Sequence, residues 1–131
     1  MASLASDGKT RREKLTSAFG RIRAYENSIL GPLLDGLKQI ESVKVWGIPE
    51  VSEHRLPTIS ITSSKLKPKE ISAHLANAGI FTWYGNYYAL PVTERLGLEP
   101  DGMVRIGLVH YNSMEEVEWL LDSLNCFVAT S

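Results

Sequence analysis

The sequence predicts an α+β domain in which a small, mostly antiparallel sheet of about four strands carries helices on one face, after a long N-terminal helix. The composition is that of one globular domain: 131 residues, of which 44% are apolar and 22% charged. Short segments of alternating apolar residues are separated by longer helical patterns, and the sequence contains no internal repeat. We expect residues 1–9 to be a frayed terminus and residues 10–131 to form a single domain.

A long helix is predicted from about Thr10 to Ile40, because apolar residues recur there at steps of three and four. Pro32 interrupts the pattern, since proline has no N–H to donate to the carbonyl of Ser28 and its ring crowds that turn. We expect a kink or a break at Gly31 and Pro32, which would give two helices in line. The helix is apolar over more than one face, and this predicts self-association as a homodimer.

Two strands and a second helix follow. Residues 43–47 and 57–62 alternate between apolar and polar side chains, and a proline is tolerated as the first residue of a strand. A loop joins these strands. Pro68 then opens a helix and Gly79 closes it, which matches the usual preference for proline in the first turn and glycine just past the end.

The last part of the chain is predicted to hold two more strands and two helices. Residues 80–84 read as a strand that is apolar on both faces, and residues 85–97 begin as a loop and end as a short helix. Residues 103–109 form the fourth strand. The final helix, residues 113–125, begins with a capping box in which a serine hydroxyl and the carboxylate of Glu116 each accept a backbone N–H.

Composition argues against several classes of function. The net charge of −1 gives no general attraction to nucleic acid or to an anionic membrane, so the basic N-terminal stretch is interpreted as a solvated helix face. No apolar run reaches the ~20 residues of a membrane-spanning helix, and the first fourteen residues lack the apolar core of a signal peptide. We therefore expect a cytoplasmic protein without nucleic acid or membrane partners.

The sequence also lacks metal and nucleophile motifs. His54, His74 and His110 stand far apart and form no spacing typical of metal ligands. The single cysteine, Cys126, has no histidine near it in the sequence, which favours a packing residue over a catalytic thiol. We expect neither a bound metal nor a catalytic residue in this chain.

One charged residue, Arg105, stands inside an apolar strand. In residues 103–109 its immediate neighbours face one way, while Arg105 and Gly107 face the other. Gly107 leaves a gap beside the arginine, and a guanidinium on a rigid strand can bind a carboxylate through two parallel hydrogen bonds. The alternative is a solvent-facing arginine paired with Glu99 or Asp101, and spacing alone favours this alternative.

Several segments together resemble a known family. The run V-R-I-G-L-V-H-Y-N-S-M-E-E-V-E-W-L-L is similar to the C-terminal signature of class V aminotransferases, the cysteine desulfurase-like proteins of pyridoxal phosphate (PLP) fold type I. G-I-F-T-W-Y-G-N-Y-Y-A-L-P resembles the glycine-led loop at the active-site mouth of that family. R-L-P-T-I-S-I-T resembles its R-x-P-T strand, and R-A-Y-E with L-L-D-G-L resembles its interdomain helix. The resemblance covers residues 11–124 and is most specific over residues 79–121.

The resemblance implies that this chain is the C-terminal small domain of a larger enzyme. In the family this domain packs beside a large domain that carries the PLP-binding lysine, and the lysines of this chain all lie in positions unlike that motif. The chain alone is therefore expected to hold no cofactor and to be catalytically incomplete. PLP, the large domain and an amino-acid substrate belong to the intact enzyme. The alternative is a stand-alone, non-enzymatic α+β module for binding or protein interaction.

By the same resemblance, Arg105 falls on the arginine that binds the substrate α-carboxylate. Gly85, Asn86, Tyr87 and Tyr88 fall on the loop at the mouth of the active site. One branch of the desulfurases places a nucleophilic cysteine in that loop where this sequence has Tyr88, and a phenol cannot form a persulfide. The resemblance therefore does not extend to sulfur transfer by that route.

Overall fold

The computed structural model describes residues 8–130 as four α-helices and four β-strands. In order they are α1 (Arg11–Gln39), β1 (Val43–Trp46), β2 (Thr58–Ser63), α2 (Pro68–Asn77), β3 (Trp83–Gly85), α3 (Leu90–Arg95), β4 (Met103–Gly107) and α4 (Met114–Ala129). The predicted frayed terminus falls mostly on residues 1–7, which lie outside the described residues. Every predicted helix and strand has a counterpart, with shifted boundaries.

The start of α1 is fixed by a capping box. The Thr10 hydroxyl accepts the N–H of Glu13 at 3.2 Å, and the Glu13 carboxylate accepts the N–H groups of Thr10 at 3.0 Å and Lys9 at 2.7 Å. These backbone donors, that of Thr10 first, hold the pKa of Glu13 below its ordinary value. Because the first N–H groups of a helix have no intrahelical acceptor, the cap explains why the helix begins at Arg11.

The helix α1 continues through Pro32 as one element, so the prediction of two helices in line is wrong. A proline in a helix interior costs roughly 3 kcal/mol. Against that cost, Leu30, Leu33, Leu34 and Leu37 are all buried, at 1% exposure or less. Burial of one leucine side chain contributes about 1.5–3 kcal/mol. Since these leucines stand on both sides of Pro32, their packing outweighs the lost hydrogen bond.

The four strands form one open antiparallel sheet in the order β1-β2-β4-β3. Val45 lies opposite Ile61, Ile61 opposite Val104, and Val104 opposite Tyr84. The central strands β2 and β4 are distant in sequence, while β1 and β3 form the edges. The predicted α+β class, with an antiparallel sheet and a long N-terminal helix, is confirmed.

One face of the sheet is covered by helices. Ile59 and Ile61 of β2 and Val104 and Ile106 of β4 are buried in one hydrophobic cluster with side chains of α1, α2 and α4. Alternate residues of each strand point to the opposite face. The sheet therefore has a helix-covered face that holds the core and a second face, here called the open face.

The edge strand β3 differs most from its prediction. The sequence pattern places a strand that is apolar on both faces over residues 80–84, but the structure has β3 at Trp83–Gly85, with Phe81 89% exposed and Trp83 58% exposed. Among the described strands, β3 pairs with β4 alone. An edge strand lacks a neighbour on its outer side, so apolar side chains do not by themselves bury it. Ile80 still packs partly against the core.

The helix α4 begins as the sequence predicts. The Ser113 hydroxyl accepts the N–H of Glu116 at 3.3 Å, and the Glu116 carboxylate accepts the N–H of Ser113 at 3.0 Å. The helix then runs to Ala129, past the predicted end at Asn125. Val117, the first fully covered position of the helix, joins the core cluster.

Candidate functional site

Arg105 lies on the open face of the sheet, on a central strand. It stands opposite Ser60 of β2 on one side and Trp83 of β3 on the other, and Trp46 of β1 lies opposite Ser60. Directly opposed residues of antiparallel strands point to the same face. These four residues therefore form a row across the sheet, which we call the open row. Within it Arg105 is exposed to solvent.

The surface ion pair that spacing alone favours for Arg105 is not formed. The Asp101 carboxylate lies 3.5 Å from the Lys67 ammonium, and the Glu99 carboxylate accepts the hydroxyl of Thr93. Within residues 8–130, no carboxylate lies at ion-pair distance from Arg105. Both acids are engaged elsewhere, and the guanidinium keeps its donors for another group.

The aromatic ring of Tyr87 is the contact that Arg105 does make. The Arg105 Cζ lies over that ring, 5.1 Å from its centroid, within the ~6 Å range of cation–π attraction. The Tyr87 hydroxyl is buried and has no well-formed hydrogen bond among the described residues, although Ser60 lies close enough to influence it. Burial raises the pKa of Tyr87, and the charge of Arg105 and the nearby Ser60 oppose that rise. The phenol therefore stays neutral beneath the guanidinium.

The backbone of the loop at residues 85–88 is what brings Tyr87 to this position. Tyr87 and Tyr88 have φ angles of 55° and 64°, left-handed conformations that cost a non-glycine residue about 1–2 kcal/mol each. The Asn86 side chain accepts the N–H of Tyr88 at 3.2 Å. Gly102 packs so closely on Gly85 that a Cβ added to Gly102 would lie 2.2 Å from the Gly85 carbonyl carbon. These contacts hold a strained loop in one conformation.

The structure brings together two of the residues that the resemblance singles out, Arg105 and Tyr87. Tyr88 is 98% exposed, so its ring contacts almost nothing. Gly85 pairs with Met103 in the sheet. Asn86 supports the turn by accepting the Tyr88 N–H.

The neighbours of Arg105 in the open row could not be predicted from the sequence. Alternation in the strand segments indicates which residues share a face, but it does not indicate that β2 and β3 flank β4. No sequence pattern therefore indicated Trp83 and Ser60 as neighbours of Arg105. The Tyr87 contact had none either, since it depends on a left-handed backbone that tyrosine rarely adopts.

An apolar groove of about 570 Å³ begins at Gly107, two residues along β4 from Arg105. It runs between residues 79–82, the end of β4 and the first half of α4, and Arg105 does not line it. A Cβ added at Gly107 would meet nothing within 4 Å. The space that the sequence predicts beside Arg105 is therefore present, but the groove itself is a separate feature.

Three lysines of the chain, Lys67, Lys65 and Lys44, make contacts other than with Arg105. Lys67 pairs with an aspartate at 3.5 Å, and Lys65 donates to a backbone carbonyl at 3.3 Å. Lys44 shares the open face, but it lies over the Trp46 ring at 3.8 Å, on the far edge strand. Because PLP enzymes hold the cofactor through a lysine Schiff base, these residues do not fit the cofactor by themselves.

Neither a metal-ligand cluster nor a membrane-spanning helix is found over residues 8–130. No three side chains among His, Cys, Asp and Glu come together there as a metal ion would require. None of the helices in that range is both long enough and apolar enough to cross a membrane.

Solved structures of cysteine desulfurases contain the same arrangement of helices and strands. The apo structure of the cysteine desulfurase from Thermococcus onnurineus NA1 matches with a TM-score of 0.81 at 29% identity, over 90% of this chain and 28% of that one. The cysteine desulfurase CsdA from Escherichia coli matches with a TM-score of 0.72 at 16% identity, over 95% of this chain and 32% of that one. At that identity, the second match speaks for the fold alone.

The chain belongs to the class V aminotransferase family, since the sequence model described as Aminotransferase class-V matches residues 15–120. The aminotransferase-like protein FGM3 of Gibberella zeae is 32% identical over 123 residues, which cover 84% of this chain and 30% of that protein. The probable cysteine desulfurase of Pseudomonas putida is 31% identical over 104 residues, which cover 79% of this chain and 24% of that protein. This chain therefore spans less than a third of the relatives it matches, and the family resemblance is confirmed.

Proposed function

We propose that this chain is the C-terminal small domain of a PLP-dependent enzyme of the class V aminotransferase or cysteine desulfurase type, and that Arg105 binds the α-carboxylate of an amino-acid substrate. The observation that carries the proposal is the exposed Arg105 on a central strand, with no carboxylate at ion-pair distance among the described residues. A paired arginine would have few donors left for a ligand. Family membership supports the same role.

The binding step follows from the shape of the guanidinium group. Its N–H donors form a rigid planar fork that matches the two oxygens of a carboxylate. The strand that carries Arg105 is hydrogen-bonded on both sides, to β2 and β3. The paired strand therefore fixes the backbone position from which Arg105 extends its guanidinium group. Loss of such a contact typically costs about 1.5–3 kcal/mol, or roughly ten- to a hundredfold in affinity.

The cofactor in this proposal is held by a part of the enzyme outside this chain. PLP supplies an electron sink for reactions at the substrate α-carbon when it is bound. The chain spans 30% and 24% of two relatives in the family, and Lys67 and Lys65 are engaged in contacts away from Arg105. The partner is therefore a large PLP-binding domain. We expect the isolated chain to bind no PLP and to be inactive.

Tyr88 limits the reaction that this loop can support. The side chain is 98% exposed at the loop where one desulfurase branch carries its nucleophilic cysteine. A phenol cannot accept sulfur as a persulfide. Within this proposal, the loop therefore does not perform sulfur transfer by that route.

Self-association and a cytoplasmic location complete the proposal. Apolar side chains on the first half of α1 remain in the open, with Phe19 55% and Tyr25 42% exposed. Exposed apolar patches favour association, and dimers are the commonest outcome. Light scattering at rising concentration should therefore give the mass of a dimer, and a clean monomer at high concentration would count against it.

A lone cysteine such as Cys126 is compatible with a reducing compartment.

A second candidate function is that of a stand-alone interaction module. The observation that favours it is the open groove of about 570 Å³ with Phe81, 89% exposed, along its side. An apolar groove of this kind is as compatible with the binding of a peptide or a protein partner as it is with a place in an enzyme. Under this alternative, Arg105 would have no role in ligand binding.

A carboxylate titration tests the role of Arg105. We would follow the Arg105 Nε–H resonance by NMR while acetate is added to the labelled chain at low salt, together with the backbone N–H resonances of its cross-strand neighbours Ser60 and Trp83. The neighbour resonances also report binding in Arg105→Gln. The resonance should shift in the unsubstituted chain, and Arg105→Gln should lower acetate affinity by roughly ten- to a hundredfold. Arg95→Gln, which removes the same charge from α3, is the matched control and should bind normally. Equal binding by Arg105→Gln would refute the proposal.

A spectroscopic control tests the incompleteness of the chain. PLP added to the purified chain should give the sum of the two separate absorbance spectra. A new visible band that reports lysine-bound PLP would show that the chain holds the cofactor without a large domain, against the proposal.

A further inference from the structure

We propose that Arg105, Tyr87 and Trp83 form a site for a carboxylate joined to a flat apolar group. In this site Arg105 binds the carboxylate, Tyr87 is a positioning residue that orients the guanidinium, and Trp83 is the surface against which the apolar group packs. The inference rests on the proposed carboxylate-binding role of Arg105. It adds the class of ligand and the roles of two aromatic neighbours.

Tyr87 constrains the guanidinium from the side of the sheet. Its ring lies under the Arg105 Cζ at 5.1 Å, and its hydroxyl end lies near Ser60, the residue opposite Arg105 on β2. The tyrosine therefore reaches from the loop after β3 across β4 and occupies the sheet surface beside the arginine. A guanidinium over an aromatic face keeps its in-plane N–H donors open. The donor edge of Arg105 is thus left for a ligand.

Trp83 differs from the other two tryptophans of the chain. The indole N–H of Trp46 donates to a threonine hydroxyl at 2.9 Å, and that of Trp119 donates to a backbone carbonyl at 3.1 Å. Trp83 is 58% exposed, and its indole N–H has no acceptor among the described residues. It is also the direct cross-strand neighbour of Arg105. An exposed aromatic face beside a cation offers a flat ligand a stacking surface.

The charge of the open row selects among carboxylates. Arg105 is its one ionised residue, because the other members are Trp46, Ser60 and Trp83. The Tyr87 phenol beside it is neutral, since burial raises its pKa. The Lys44 ammonium lies over Trp46 on β1, two strands away from Arg105, whereas the Trp83 indole is directly beside Arg105. Next to Arg105, a flat apolar group therefore finds a partner more readily than a second negative charge does. The favoured ligand is therefore a monocarboxylate with an aromatic or similarly flat substituent.

The test compares benzoate with acetate on the full chain. The two probes carry the same carboxylate, and one of them adds a flat ring. Binding is followed through the Arg105 Nε–H resonance and through tryptophan fluorescence. Benzoate should bind about two- to tenfold more tightly than acetate, the size expected of one aromatic stacking pair.

Variants separate the two aromatic roles. Trp83→Thr keeps a β-forming residue and should reduce the benzoate-to-acetate ratio to near one with little change for acetate. Trp83→Phe should restore most of the ratio. Tyr87→Leu should weaken both probes by about two- to tenfold and leave their ratio unchanged. Tyr88→Leu is the matched control, because Tyr88 has the same left-handed backbone and is 98% exposed. It should bind both probes normally.

Each outcome decides a different point. If neither probe shifts the Arg105 resonance, the proposed function fails, and this inference fails with it. If both probes bind Arg105 equally well, or if Trp83→Thr keeps the preference for benzoate, the proposed function stands and the ligand class is wrong. If Tyr87→Leu binds both probes as tightly as the unsubstituted chain, Tyr87 does not position the guanidinium. Thermal unfolding of each variant shows that a loss of binding is not a loss of fold.

Discussion

The two faces of β4 carry side chains with opposite surroundings, although they alternate along one short strand. Val104 and Ile106 are 0% and 3% exposed against the helices, while Arg105 and Gly107 are exposed on the other side. The helix-covered face holds the apolar contacts that stabilise the fold. The open face holds the arginine and its aromatic neighbours. Substitutions on the helix-covered face of β4 should therefore change stability, and substitutions on its open face should change ligand binding.

The largest expected effect is on the helix-covered face. Ile61→Ala removes a side chain that is 0% exposed, and it should lower the free energy of unfolding by about 2–5 kcal/mol. Ser60→Ala, the adjacent position on the open face, should change it by less than about 1 kcal/mol. Urea unfolding of both variants checks the comparison. Similar losses of unfolding free energy in the two variants would mean that the helix-covered face does not contribute more to stability than the open face.

The next effect concerns two glycines, Gly102 just before β4 and Gly107 at its end. Gly102 has φ 70° and a Cβ there would lie 2.2 Å from the Gly85 carbonyl carbon, so Gly102→Ala should destabilise the fold by about 1–3 kcal/mol. It should also displace the loop that carries Tyr87. A Cβ at Gly107 meets nothing within 4 Å, so Gly107→Ala should be neutral or slightly stabilising. Thermal melts of the two alanine variants distinguish these results, and a Gly107→Ala loss as large as that of Gly102→Ala would contradict them.

A smaller effect separates the two tyrosines with left-handed backbones. Tyr88→Gly relieves the strain at φ 64° without losing a contact, since that ring is 98% exposed. It should stabilise the protein by up to about 1 kcal/mol, because glycine adopts this conformation freely. Tyr87→Gly relieves similar strain but loses the ring beneath Arg105, so it should bring no such gain. Melting temperatures give the comparison, and an equal gain from both variants would show that the Tyr87 contact contributes nothing.

The smallest effect is a pH dependence at the start of α4. Hydrogen bonds from the Asn112 side chain, and then from the Ser113 N–H, hold the pKa of Glu116 below its ordinary 4.5. Because the folded pKa lies below the unfolded one, this stabilisation is complete above the unfolded value and is lost as pH falls through the folded value. Between pH 5 and the acid limit, stability should therefore fall less steeply in Glu116→Gln than in the unsubstituted chain. Glu118→Gln removes the same charge without a capping contact and is the control for the change in net charge.

Local patterns predicted the elements whose causes are local. The Ser113 and Glu116 capping box fixed the start of α4, and alternation placed Arg105 on the face away from Val104. The break expected at Pro32 did not occur, because the cost of one proline is local and the burial that offsets it comes from the whole fold. The strand predicted over residues 80–84 is Trp83–Gly85 in the structure, and its place at the edge of the sheet depends on strand order, which local patterns do not specify.

Sequence patterns are enough to specify the class of the fold, the helix starts and the side of its strand on which Arg105 lies. These features follow from helical and strand periodicity and from hydrogen bonds between residues a few positions apart. The positions of Ser60 and Trp83 beside Arg105, and of Tyr87 beneath it, become visible only in the folded chain. Those contacts depend on pairing between distant strands and on a left-handed loop held by close packing of Gly102 on Gly85. No local pattern specifies such contacts, because the free energy that offsets the cost of closing the chain around them comes from the assembled core.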